Sequence, residues 1–271
     1  MTQSVAFWAA TVAYALATVA AVVSVAFRAS RVGRVGRWLL AAGAVPHAVA
    51  VALRWIEIGH GPYNTRYEVL SANVLVLVIA LLAASARGHD LRGLVVFVAP
   101  LAFLGMGLAV STFSVRSEVP IILKSYWLVL HVGFAKLFAA TVALAAACAA
   151  GHLVKAWRPA ALGWLPSPER LDLHAHQLLL ASFLFLGVMI VAGSLWAHQS
   201  WGRYWGWDPI ETSSLVTWIV LGIILHFRAL HGWSGRRMAA LTLVGFGFAL
   251  VTIYVVVLVV PTIHDAYMVR G

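Results

Sequence analysis

Charge is scarce in this chain. Asp, Glu, Lys and Arg make up 10% of its 271 residues, and only nine residues are acidic. Soluble domains average about 25% charged residues, so an ordinary soluble fold is excluded. Cysteine is nearly absent as well. Cys148 stands alone, which rules out an internal disulfide, a CxxC redox pair and the CxxCH that would make the chain a c-type cytochrome itself. Inside an apolar run it reads as a small packing residue. Met1–Val5 carries no Lys or Arg, so the first apolar run lacks the charged front of a cleavable signal peptide and reads as a retained helix. No low-complexity segment or clear internal repeat is present, and the longest polar gap, Gly151–His174, is too short for a soluble domain.

What is abundant is hydrophobicity, at 62% of residues. Several apolar runs reach about 20 residues, the length a helix needs to cross the hydrocarbon core. They predict an all-α, polytopic membrane helix bundle with eight transmembrane helices, over 4–27, 37–57, 69–86, 93–111, 124–150, 176–196, 209–230 and 238–260. The whole of 1–271 then forms one membrane domain.

The formal charge of +10 could suggest a nucleic-acid partner, but its distribution argues against one. Arg28, Arg31, Arg34 and Arg37 fall in the first gap, and Arg87 and Arg92 in the third. Lys155, Arg158 and Arg170 fall in the fifth, and Arg228, Arg236 and Arg237 in the seventh. Lys and Arg concentrated in alternate loops set membrane orientation. The odd gaps are therefore expected to be cytoplasmic and both termini outside; the partner of the charge is the lipid bilayer.

On that topology WGRYWGWDPIE, Trp201–Glu211, faces outward between the sixth and seventh helices, in a loop spanning about 197–211. Asp208, Pro209 and Glu211 make a helix start: an acidic cap, Pro at the first helical position, and Glu three residues after the cap. Trp and Tyr also collect at membrane interfaces. The density of rings is the anomaly. Trp201, Tyr204, Trp205 and Trp207 crowd one loop loosened by Gly202 and Gly206, with Arg203 as the single cation beside them. Such a flat apolar surface suits a large planar ligand with acidic arms, and haem is one.

Haem needs iron ligands, and most of the eleven histidines read as ordinary. His89, His152 and His231 belong in or beside cytoplasmic loops as solvated residues. His174 and His176 belong at an interface, on different helix faces. His47, after Pro46, reads as a structural residue, and His60 and His198 lie in outward segments. Three stand out. His131, in SYWLVLH, and His264, in VVPTIH, sit at the same membrane face as the aromatic loop, on different helices, and two such imidazoles can clamp an iron axially. His226, in LGIILHF, lies about 25 Å deeper, counted from Pro209 at the helical rise. An ionisable residue in a spanning helix is a functional candidate by default, and Gly222 one turn earlier is expected to leave room beside it.

These segments resemble the haem-handling WWD family, most closely the CcsA/ResC cytochrome c assembly proteins. WGRYWGWDPIETSSLVTW is similar to that family's tryptophan-rich signature, and GHGPYNTRYE, SYWLVLHVGFAKLF and LHFRALHGWSGRRMAALTLVGF resemble its further segments. Ile210 and Ser213 depart from the signature, where members commonly carry Lys and Trp, and Asp265 and Ala266 follow the last histidine in place of Ser-Tyr. The resemblance implies a multi-pass protein of the bacterial cytoplasmic membrane that exports haem b as cargo. His131 and His264 would be the external iron ligands and His226 the transmembrane haem histidine. It further implies a CcsB/ResB partner and an apocytochrome c whose CxxCH thiols receive the haem, making the chain a candidate subunit of a holocytochrome c synthase. Within that picture Trp201, Trp205 and Trp207 are expected to hold the macrocycle, with Tyr204 beside them. Asp208 would fix the loop, and Arg203, or else Arg54, Arg66 or Arg116, would meet a propionate. The alternatives are CcmC-like delivery to a haem chaperone, a HemX-like regulator, a haem b respiratory subunit, and a plain transporter.

Overall fold

The computed structural model describes residues 2–87, 91–113, 123–158 and 163–263. No strand occurs among them. The helices are α1 (Gln3–Ala26), α2 (Ser30–Ile58), α3 (Arg66–Ala86), α4 (Val95–Ser111), α5 (Tyr126–Trp157), α6 (Pro168–Trp201), α7 (Pro209–His231) and α8 (Arg236–Leu250). A 3-10 turn, Arg92–Leu94, leads into α4, and a π-helical stretch, Val251–Val256, carries α8 on to Val259. Among the described residues, eight helices are thus long and apolar enough to cross a membrane.

Three of them outrun the sequence expectation. α2 begins at Ser30 because Arg31, Arg34 and Arg37, spaced three apart, continue its turns. α5 runs to Trp157 and α6 starts at Pro168, so most of the Gly151–His174 gap is helix. Pro168 supplies a preset helical φ, and Glu169 stands in the first turn near the positive end of the helix dipole.

The contacts divide the chain into two compact units. One is built on α1–α4. Its helices approach through small residues: a Cβ at Gly43 would lie 2.8 Å from the Tyr14 ring and one at Gly105 2.4 Å from Val74, the close backbone packing that membrane helices favour. Buried polar groups are satisfied across helices. The Tyr14 hydroxyl is 3.1 Å from His47 Nδ1, and His47 Nε2 is 3.0 Å from Ser71 Oγ. Arg54 donates twice to Glu68 Oε1, while Glu68 Oε2 accepts from the amides of Asn64 and Thr65 and closes a capping box on α3. His47 is therefore a structural polar clip, and Arg54 is held in an ion pair.

The other unit is built on α5 up to Leu153, α6, α7 and α8. Its core joins Phe138, Val142 and Ala145 of α5 to Leu179, Leu186 and Met189 of α6, with Leu221 and Ile224 of α7 and Met238 and Ala249 of α8. Cys148 packs fully buried on α5. At one end Arg228 donates to Asp172 at 2.8 Å, and Asp172 also accepts the Gly235 amide at 3.0 Å, fastening α6 to the α7–α8 turn. His152, expected to be solvated, is 6% exposed there, because α5 continues past Gly151 and turns it inward.

Candidate functional site

α6 ends at Trp201, where Gly202 adopts φ +71° and its amide bonds back to the His198 carbonyl. The residue after a helix is commonly a left-handed glycine, for which the conformation carries no Cβ penalty. α7 begins at Pro209 under the Asp208 cap: Asp208 Oδ1 accepts the Ile210 amide at 2.9 Å, and Asp208 and Glu211 close a capping box. The aromatic loop is therefore short, Gly202–Trp207, strung between two well-terminated helices.

Glu211 does more than cap. Its Oε2 accepts the amides of Gly206 at 2.7 Å and Asp208 at 3.2 Å, the two residues that flank Trp207. Held from both sides, Trp207 takes φ +57°, a conformation that costs a non-glycine residue on the order of 1–2 kcal/mol. Its indole stands 70% exposed, edge-on to Trp205 with centroids 5.8 Å apart. Tyr204 stacks on His198 at 4.2 Å. Arg203 folds back over Gly206, where a Cβ would lie 0.9 Å from its Nη1, so only glycine admits that arrangement.

His131 projects from α5 toward α6. A carbonyl oxygen can only accept, so the 2.9 Å contact between His131 Nδ1 and the Met189 carbonyl makes Nδ1 the donor. In the neutral ring the lone pair then sits on Nε2, the tautomer and anchoring that metal-bound imidazoles use. The approach depends on Gly193, whose Cβ would lie 2.6 Å from His131 Nδ1. Trp196, almost fully buried, stacks near-parallel to the His131 ring at 6.3 Å and meets Trp201 edge-on at 5.0 Å. One aromatic chain thus links histidine to loop. His131, Trp201, Tyr204 and Trp205 line a single cleft with Met189, Gly193, Glu211 and Ser214. Its volume is about 430 Å³, counting the part open to solvent.

The C-terminal segment returns to the same place. Thr252, in the π-helical stretch, donates to the Ser213 carbonyl at 3.1 Å and pairs with Thr217 at 2.8 Å. Past the helix, the Ile263 amide donates to Asp208 Oδ2 at 2.9 Å. The Asp208 carboxylate therefore fixes both the start of α7 and the residue before His264. His264 itself, with His89 and Arg116, lies outside the described residues.

The structure thus brings His131, Trp201, Tyr204 and Trp205 together on one cleft and places Arg203, Trp207 and Asp208 in the loop around it, while His226 lies apart. His226 is exposed on α7, its ring centroid 6.3 Å from that of His231. The space at Gly222 is filled by Phe183, 3.2 Å from where a Cβ would stand, not left open beside His226. Trp196, Gly193 and Met189 were not expected at the site. Trp196 and Gly193 precede the signature within an apolar run, and Met189 contributes only a backbone carbonyl.

A chain with these spans and this loop is a multi-pass membrane protein. It belongs to the cytochrome c assembly protein family, whose model matches residues 64–264. Within the family it is similar to proteins named cytochrome c biogenesis protein CcsA. It is 31% identical to that of Trieres chinensis, over 71% of this chain and 73% of the relative, and 29% identical to that of Synechococcus sp. (strain CC9605), over 80% and 81%. The CcsA of Thermosynechococcus vestitus (strain NIES-2133 / IAM M-273 / BP-1) is 31% identical over 77% and 82%. Among solved structures the fold is similar to the cytochrome c haem lyase CcmF, with a TM-score of 0.68 at 16% identity. That likeness covers 94% of this chain and 47% of CcmF, so the chain spans about half of that protein.

Proposed function

We propose that this protein acts in cytochrome c biogenesis by carrying haem b across the membrane and presenting it at an outward-facing aromatic site for attachment to apocytochrome c. His131 and His264 hold the iron from opposite sides. Trp201, Trp205 and Trp207, with Tyr204, hold the macrocycle, and Asp208 and Arg203 fix the loop. His226 is the station at the cytoplasmic side. A CcsB/ResB-like membrane protein is the partner chain. The observation that carries this reading is the anchoring of His131: its Nδ1–H is committed to the Met189 carbonyl, its lone pair is on Nε2, and its ring stacks on the indole chain that ends in the signature loop.

The chemistry needs no nucleophile from this chain. Each substrate thiol adds across a haem vinyl group: an S–C bond forms, the S–H bond breaks and its hydrogen goes to the second vinyl carbon, with no net electron transfer. Positioning is the catalytic contribution, since it turns an encounter between thiol and vinyl into a near-unimolecular step.

The test is production of a CxxCH apocytochrome in cells lacking their own assembly system, with this chain and a CcsB-like chain present together or singly. Covalently bound haem is read on denaturing gels. Covalent cytochrome is expected only with both chains, and it is expected to disappear with His131→Ala. Unchanged covalent haem in His131→Ala contradicts the site. Haem passed to a soluble chaperone without thioether formation would replace attachment by delivery.

A further inference from the structure

Building on the haem site proposed above, we infer that the cleft beside His131 is a subsite for one haem propionate, with the Ser214 hydroxyl and the Trp205 indole N–H as its donors. Ser214 is 2% exposed, yet among the described residues its hydroxyl has no hydrogen-bond partner, and the buried Trp205 Nε1 has none either. Both residues line the same cleft. Helical Ser and Thr normally bond back to a carbonyl one turn earlier, as Thr11, Thr141, Ser182 and Thr242 do here, and as the adjacent Ser213 does to Ile210. Ser214 does not. Two buried donors without a partner among the described residues, on side chains that line one cleft, call for an acceptor from outside them.

Chemistry narrows what that acceptor is. In haem the pyrrole nitrogens are bound to iron and the methyl and vinyl groups are apolar, so the propionates are its only acceptors. Glu211 also lines the cleft, but its Oε2 is drawn to the amides of Gly206 and Asp208 at the positive end of α7. Arg203, whose head lies over Gly206, does not line the cleft. Because propionates and vinyls occupy opposite edges of the porphyrin, a propionate held in the cleft turns the vinyl edge outward, where thiols arrive. The subsite thus sets the rotation of haem about its iron–histidine axis.

The experiment titrates the detergent-purified full-length protein with iron protoporphyrin IX and with its dimethyl ester, following the imidazole-ligated absorption spectrum. The wild type is expected to bind the diacid at least about tenfold more tightly than the ester. Ser214→Ala should lose most of that preference while its ester affinity and thermal unfolding midpoint stay at wild-type values. Ser214→Thr, which keeps the hydroxyl, should retain the preference. Trp205→Phe should weaken both ligands and lower their ratio. A wild type without preference, or variants with the wild-type ratio, would overturn the proposal and leave the cleft to water. Absence of any His131-dependent spectrum with either porphyrin would instead remove the haem site, and the subsite with it.

Discussion

Gly193→Ala is expected to abolish the imidazole-ligated haem spectrum of the purified protein almost as completely as His131→Ala. The added methyl would stand 2.6 Å from His131 Nδ1 and 3.0 Å from Cε1. The ring therefore has to swing away, breaking its bond to the Met189 carbonyl and its stacking on Trp196. Backbone strain is not involved, since Gly193 sits within a regular helix and alanine is the stronger helix former. The protein should consequently fold and insert as the wild type does, and lose haem affinity by about tenfold or more, the scale of losing an outer-sphere partner of a metal ligand. The two substitutions act on one contact, so Gly193→Ala placed on His131→Ala should add nothing. An independent, additive loss would show that Gly193 serves something other than the histidine.

Asp208→Asn should separate two jobs that the carboxylate performs at once. Oδ1 caps α7 through Ile210, and Oδ2 accepts the Ile263 amide next to His264. Asparagine is as good a cap as aspartate but has one acceptor oxygen, and its amide nitrogen cannot accept. Stability should stay near wild type while the spectrum moves from two-histidine low-spin toward a single-histidine form, with about a tenfold loss of affinity. His264→Ala should give the same spectrum, and the pair no more than either alone. Asp208→Ala loses the cap as well, at a further cost of about 1 kcal/mol in stability. A two-histidine spectrum surviving in Asp208→Asn would break the proposed link between loop and second ligand.

Much of the fold was legible because the bilayer imposes it: the long apolar runs and the Asp208–Pro209–Glu211 start of α7 are local signals. The ends of α2, α5 and α6 were less so, since turns beyond the apolar core carry Arg, His and Glu and resemble loop by hydropathy alone. Leu171, Ala175 and Leu179, buried at four-residue spacing, show that the start of α6 keeps a helical face. The site divides the same way. The aromatic loop and His131 announce themselves by residue type. The His131–Met189 bond spans 58 residues and the Asp208–Ile263 bond 55, and each ends on a backbone atom that no side chain marks. Gly193 and Ser214 draw their meaning only from what packs against them, as does His152, which the continuation of α5 buries.

The most direct measurement is the absorption spectrum of the detergent-purified, full-length protein carrying haem, wild type beside His131→Ala, His264→Ala and His226→Ala. A low-spin, two-imidazole spectrum is expected in the wild type and in His226→Ala once haem is supplied from outside. It should be absent from both other variants. The same spectrum at undiminished intensity in His131→Ala and His264→Ala would contradict an iron held between those two side chains against the tryptophan loop.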